Sequence, residues 1–222
     1  MRKVLINGAS GKMGQALIRL MKEHPSLNLS PDAQRDKHQM SGGDFDIVID
    51  FSTPQGAEEA FELARENDKP FLTGTTNLSA TFLHRLQQEK FIPVFYAPNV
   101  SLSVYLFTQL AKQAARFYNG YDVSLHEIHH VHKKDAPSGT AKNLAVVVHY
   151  PVEKVTYERI GETVGTHTLS FKTPFDEITL SHQALNRDLF AFSALQIAGW
   201  LLSCPAGFYT MEDYAIFKLK EK

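Results

Sequence analysis

Short apolar runs alternate with amphipathic segments across residues 1–100, and this alternation constrains the fold more than any other feature of the chain. KVLIN (3–7) is an apolar run that leads into glycines, after which Met13, Ala16, Leu17, Leu20 and Met21 recur at the spacing of one helical face. A weaker run, SLNLS (26–30), stops at Pro31. FDIVIDF (45–51) predicts a buried strand, and Ala57, Ala60, Phe61 and Ala64 line one face of the helix that follows it. PFLTG (70–74) predicts a fourth strand, residues 79–90 a helix with Ser79 as its N-cap, and IPVFYA (92–97) a fifth strand. Parallel neighbours need a helix to carry the chain back, so this order predicts an α/β fold with an open parallel sheet covered on both faces.

The pattern changes after Asn99. Residues 103–118 predict a long helix with Phe107, Leu110, Ala111, Ala114 and Phe117, and YDVSLHEIHH (121–130) reads as a strand. A DAPSGT turn then opens a helix with Ala141, Leu144, Ala145 and Val148 inward. VEKVTYERI, THTLSFKT and DEITLSHQA alternate with period two, placing Ile178, Leu180 and His182 on one face. A helix near 189–203 and a short one from Thr210 close the chain. An α/β half followed by an α+β half predicts two domains.

Lys and Arg (23) are matched by Asp and Glu (24), which argues against nucleic acid or an anionic membrane as the main partner. Cys204 is the only cysteine, so no intrachain disulfide is available, and its expected role is a small buried apolar residue. With no long apolar run and a strand directly after MRK, the sequence suggests a cytoplasmic protein.

NGASGKMG places Gly8, Gly11 and Gly14 at the first strand-to-helix junction. Ala9, Ser10, Lys12 and Met13 complete a turn in which a backbone free of Cβ atoms can approach a pyrophosphate at the positive end of a helix. The spacing is G-x-x-G-x-x-G rather than G-x-G-x-x-G, and its position in the sheet is what favours a dinucleotide site. Asp32 and Arg35 are the acid and the cation best placed to select NADH or NADPH, and the choice between the cofactors stays open. TGTT (73–76) and APNVS (97–101) follow the next strands on the same rim, so Gly74, Thr75, Thr76, Ala97, Pro98, Asn99 and Val100 are also expected to meet the cofactor.

HEIHHVHKKDAPSGTAK (126–142) crowds four histidines and three other cations of the segment, Lys133, Lys134 and Lys142, around one turn. A metal site is disfavoured because no acid or thiol falls at a ligand-like spacing and the lysines repel a cation; no metal is expected. A solvated histidine-rich loop remains an alternative. The third reading is an anion-binding catalytic site: the N–H groups of Ser138, Gly139 and Thr140 open a helix and can bind a carboxylate, Lys133 adds a cation, and an imidazole or ammonium delivers a proton.

EIHHVHKKDAPSGTA resembles the signature of the dihydrodipicolinate reductases, E-x-H-H-x-x-K-x-D-A-P-S-G-T-A, and GASGKMG, DFSTPQG, GTT, RIGETVGTH and NR fall in the order of that family. The resemblance implies a Rossmann dinucleotide-binding domain from residues 1–102 and 188–222, with a substrate-binding and oligomerisation domain on a mixed sheet from 103–187. It implies His129 and Lys133 as the acid–base pair, His130 and Lys133 on a substrate carboxylate, and Gly139 with Thr140 on the second. Arg187 would lie near the cofactor. The implied activity is NADH- or NADPH-dependent reduction of 4-hydroxy-tetrahydrodipicolinate in lysine and diaminopimelate biosynthesis, by a homotetramer acting on a small dicarboxylate. Val100 and Ser103 replace an aromatic and a glycine of the family's hinge loop. Two rivals stand beside it: another Rossmann dehydrogenase of a small amino or keto acid, and a nucleotide-sensing module without turnover, against which intact His129 and Lys133 argue.

Overall fold

A computed structural model of the chain describes residues 1–30, 44–118 and 120–221. The chain divides into two compact units, Met1–Ser101 with Phe190–Lys222, and Leu102–Leu189.

The first unit is built on a six-stranded, wholly parallel sheet in the order β10-β5-β4-β3-β1-β2. Its strands are β1 (Arg2–Asn7), β2 (Leu27–Leu29), β3 (Ile47–Asp50), β4 (Phe71–Thr73), β5 (Pro93–Tyr96) and β10 (Gly207–Tyr209). Helices α1 (Lys12–Met21), α2 (Pro54–Glu66) and α3 (Ala80–Gln87) make the crossovers. The local sequence explains two of their starts: Thr53 caps α2 with Pro54 in its first turn, and the Ser79 hydroxyl accepts the Phe82 N–H at the start of α3. Phe61 packs tilted against Phe71 at 5.5 Å and edge-on against Phe82 at 5.7 Å, and burying one such ring contributes about 2–3 kcal/mol. Helix α7 (Met211–Lys220) starts at a capping box between Thr210 and Asp213.

The second unit carries a mixed four-stranded sheet, β7-β6-β8-β9, from β6 (Asp122–His129), β7 (Thr156–Arg159), β8 (Gly165–Lys172) and β9 (Glu177–Ala184). Strand β7 runs parallel to β6, and the other pairs are antiparallel. Helices α4 (Leu102–Phe117) and α5 (Gly139–Val147) supply Phe107, Ala111, Ala141 and Leu144 to a core that takes Leu125, Leu169 and Phe171 from the sheet. Helix α6 (Asp188–Leu201) begins in this unit and ends in the first.

Two elements differ from the sequence reading. VEKVTYERI is not one strand: a single 3-10 turn, Val152–Lys154, follows Pro151 and satisfies its backbone locally, so β7 starts only at Thr156. Gly207–Tyr209 escaped notice because three residues carry no periodicity, yet it adds an edge strand beside β5. No helix among the described residues is long and apolar enough to cross a membrane.

Candidate active site

In a parallel sheet the loops that follow adjacent strands share one rim, so those after β1, β3, β4 and β5 lie side by side in the first unit. The turn after β1 needs its glycines. Gly8 has φ +85°, and a Cβ there would lie 2.3 Å from the Phe51 carbonyl oxygen; a Cβ on Gly14 would lie 2.3 Å from the Gly8 carbonyl. Gly11 N-caps α1 without a side-chain hydrogen bond, and the N–H groups of Lys12, Met13 and Gly14 have no intrachain acceptor among the described residues. Gly8, Ala9 and Met13 are half-buried around this opening, with Ser10, Gly11 and Lys12 exposed. An uncapped, accessible helix start fits a pyrophosphate.

Asp50, at the end of β3, is a residue the sequence reading passed over. Its fully buried carboxylate accepts from Asn7 Nδ2 (2.8 Å), Ser52 Oγ (2.5 Å), Thr73 Oγ1 (2.7 Å) and Thr75 Oγ1 (2.7 Å). The ends of β1 and β4 and the loops after β3 and β4 are thereby fastened to one side chain, and Thr75 Oγ1 also accepts the Ser52 N–H at 2.9 Å. The remaining candidates fall on that rim: Gly74 donates its N–H to the Asp50 carbonyl, Thr76 is exposed, and Ala97 and Val100 are buried while Pro98 is exposed and Asn99 accepts the Ser101 N–H. Asp32 and Arg35 lie outside the described residues.

In the second unit, strand alternation puts Leu125, Glu127 and His129 on the inner face of β6, where they face the helices. Cross-strand pairing sets Leu125 against Leu169 and Glu127 against His167, so the apolar core passes within one register step into a polar cluster. Glu127 Oε1 accepts the Ser138 N–H (3.0 Å) and Arg159 Nη2 (3.1 Å), and Oε2 lies 3.0 Å from His129 Nδ1 and 3.7 Å from His167 Nε2. Burial pushes the Glu127 carboxyl up, but contacts with His129 and Ser138 outweigh it and hold the group at about 2. Burial, reinforced by the charge of His129, lowers His167 to about 4. Burial and the charge of Arg187 also hold His130 below the usual imidazole range.

Lys133 pairs with Asp135 at 2.7 Å, and Arg159 Nη2 donates to the Asp135 carbonyl at 2.7 Å, so Arg159 tethers the segment that carries Lys133. Ser138 N-caps α5 by accepting the Ala141 N–H and meets His167 Nε2 through the same hydroxyl at 3.1 Å. The N–H groups of Gly139 and Thr140 are left without an intrachain acceptor among the described residues, and open space lies beside Gly139. His129, His130, Lys133, Ser138, Gly139 and Thr140 therefore belong to one strand-turn-helix segment, which includes the helix start expected to bind an anion. Arg187, expected near the cofactor, belongs to this unit, where its charge bears on His130.

The spacing argument against a metal does not hold as stated, because an acid does sit beside the histidines. Glu127, His129 and His167 bring donor atoms within 4.8 Å of one another. The charge argument is unaffected: Arg159 and the Ser138 N–H occupy one carboxylate oxygen, and Lys133 adds a cation to the surroundings of His167. Sequence reasoning missed Glu127, Arg159, His167 and Asp135 as parts of the site. For Glu127 a signal was present, since it stands two residues before His129 in a predicted strand and so shares its face.

A parallel sheet with an uncapped glycine turn defines a dinucleotide-binding unit, and the second unit presents cations, imidazoles and a helix start suited to a small anion. Family comparison agrees. Residues 2–100 match the family model "Dihydrodipicolinate reductase, N-terminus" and residues 103–214 match "Dihydrodipicolinate reductase, C-terminus". The 4-hydroxy-tetrahydrodipicolinate reductase of Xanthomonas campestris pv. campestris (strain B100) is 39% identical over 96% of this chain and 98% of its own. That of Campylobacter jejuni subsp. jejuni (strain 81-176) is 35% identical over 96% and 99%. The solved dipicolinate-bound dihydrodipicolinate reductase from Paenisporosarcina sp. TG-14 shares the fold, with a TM-score of 0.77 at 20% identity over 95% of this chain and 97% of that one. The chain belongs to the dihydrodipicolinate reductase family.

Proposed function

We infer that the protein is an NADH- or NADPH-dependent 4-hydroxy-tetrahydrodipicolinate reductase of lysine and diaminopimelate biosynthesis, acting on a small dicarboxylate. The observation that carries the reading is the β6–α5 segment. It offers one anion site at the free N–H groups of Gly139 and Thr140, a second at Lys133 and His130, and a proton source in His129 or Lys133. Two carboxylates and one proton are what reduction of such a substrate requires after hydride has arrived.

The nicotinamide cofactor supplies the hydride when bound, and the turn from Gly8 to Met13 would take its pyrophosphate while Gly74 to Thr76 and Ala97 to Val100 line the neighbouring rim. The unit Met1–Ser101 with Phe190–Lys222 would thus be the cofactor domain, and Leu102–Leu189 the substrate and oligomerisation domain. In the resting site Lys133 is neutralised by Asp135, so substrate binding exchanges one carboxylate partner of Lys133 for another. A homotetramer assembled through the second sheet is supported by the free edge of β9, with Ile178 exposed on it and Phe175 95% exposed at the β8–β9 turn. Dependence on a reduced nicotinamide pool favours a cytoplasmic location.

The test is oxidation of NADH and of NADPH, each run with substrate generated from pyruvate and aspartate semialdehyde, with and without a chelator. Turnover that survives the chelator supports the reading. Tight cofactor binding without turnover points to a different acid or to the sensing module. Light scattering of the full chain tests the tetramer.

A further inference from the structure

Glu127 has no exposed surface, and its position is a core position: one register step away the same inner face holds Leu125 against Leu169. A leucine would fill that place without the desolvation cost of a carboxylate, so the acid is not there for packing. Its two oxygens are divided between two tasks. Oε1 binds the Ser138 N–H and Arg159, whose Nη2 also holds the Asp135 carbonyl in the segment that carries Lys133. Oε2 lies at ion-pair distance, 3.0 Å, from Nδ1 of His129, and both buried atoms lack an aligned hydrogen-bond partner among the described residues.

The opposite edge of the same ring gives a second, independent observation. Nε2 of His129 lies over Gly165 of β8, where a Cβ would come within 2.8 Å. A glycine at that position makes room for the ring, so His129 sits with Nδ1 toward a carboxylate and Nε2 against the start of β8, where any side chain would displace it. The charged groups that bear on His129 are Glu127 from its own strand and His167 from β8 (ring centroids 5.2 Å apart). Arg159 of β7 acts through the shared carboxylate, and His130 and Lys133 follow in the next segment.

Resting on the reductase reading, we propose that Glu127 is the positioning residue of the proton-delivering site. It holds His129 with Nδ1 toward itself and Nε2 toward the substrate, and through Ser138 and Arg159 it fixes the segment that bears Lys133 and the carboxylate-binding helix start. A carboxylate behind an imidazole sets the tautomer of the neutral ring and stabilises its protonated form. One side chain therefore aligns the proton donor and the anion site together.

Glu127→Gln keeps the shape and one acceptor oxygen but removes the charge facing His129. In the full-length enzyme, kcat should fall on the order of 100-fold, and 15N-histidine spectra of the variant should show the proton of the neutral His129 ring moved from Nδ1 to Nε2. The KM for the nicotinamide cofactor should be unchanged. A loss of kcat with the tautomer unmoved would mean a structural role only and would overturn the proposal, as would wild-type kinetics. Should the variant not fold, 15N-histidine spectra of the unmodified protein decide, with His129 assigned by its absence from His129→Gln. The proposal requires the proton of the neutral ring on Nδ1, and a proton on Nε2 sinks it. That spectrum needs no turnover, so failure of the reductase reading and failure of the Glu127 assignment are read separately.

Discussion

Replacing Asp50 tests whether one buried carboxylate holds the cofactor rim together. Asp50 is fully buried and accepts four side-chain hydrogen bonds, two on each oxygen. Asp50→Asn preserves the volume and converts one acceptor oxygen into a donor. If the amide N–H2 faces the threonines, Thr73 Oγ1 and Thr75 Oγ1 already accept the Thr75 and Ser52 N–H groups, so their hydroxyl hydrogens lose their acceptor. Turned the other way, the amide meets Asn7 Nδ2 and Ser52 Oγ, and donor faces donor. Two hydrogen bonds to a carboxylate are lost in either orientation, at about 1.5–3 kcal/mol each, and partial relaxation leaves a net destabilisation of roughly 3 kcal/mol. At ~2–4 °C per kcal/mol for a domain of this size class, the unfolding midpoint should drop by about 10 °C. Trp200, the only tryptophan, packs against Phe95, Tyr209, Tyr214 and Phe217 in the first unit, so its fluorescence follows that unit. Cofactor affinity, titrated below the midpoint, should weaken about 10-fold as Ser52 and Thr75 lose their anchor, equivalent to ~1.4 kcal/mol. An Asn variant with the wild-type midpoint and wild-type cofactor affinity would refute the hub.

Lys133→Ala should lower turnover by a factor on the order of 100 to 1000 while cofactor affinity stays nearly unchanged; equal loss of both would remove Lys133 from the substrate side. Gly165→Ala places a Cβ 2.8 Å from His129 Nε2, so kcat should fall at least about 10-fold with little change in cofactor KM, and unaltered kcat would show that the ring does not work from that edge. Acid should act in two steps. His167 is lowered from 6.5 to about 4, so its contribution to stability is complete above pH 6.5 and declines as pH falls toward 4. Glu127 is lowered from 4.5 to about 2, so its contribution is complete above pH 4.5 and declines toward pH 2. Each step corresponds to roughly 3 kcal/mol. Urea unfolding at a series of pH values checks this, and His167→Gln should abolish the upper step alone; a variant that keeps both steps would show that His167 is not the source of the upper one.

What was legible in the sequence was whatever a short window encodes. The βα alternation, the Ser79 cap and the glycine turn are each complete within about a dozen residues, and helix and strand periods need no partner to be read. The HH-x-x-K and PSGT motifs were legible for the same reason, since all of their residues come from one strand-turn-helix segment. Glu127 was visible in the motif, but its role was not, because that role depends on Arg159 and His167, 32 and 40 positions away, meeting it across two strand pairings. Asp50 escaped for the same cause: its four donors come from three strands and the loops after them. Period-two patterning shows which residues share a face and is silent about which strand lies alongside.

That dependence has a physical consequence for the second unit. The register that buries Leu125 against Leu169 is the same register that sets Glu127 against His167, and Leu169 against Leu180 is the same one that sets His167 against His182. A slip by one residue would turn the leucines outward and scatter the carboxylate and imidazoles in the same move. The apolar contacts outweigh the polar ones in driving the sheet to form, since burial of each leucine contributes about 2 kcal/mol while the carboxylate must first be desolvated. Core packing thus selects the pairing, and the pairing assembles the site. Core substitutions in β6 and β8 that loosen this register should disturb His129 before they unfold the chain, because the cluster tolerates less displacement than the leucines beside it.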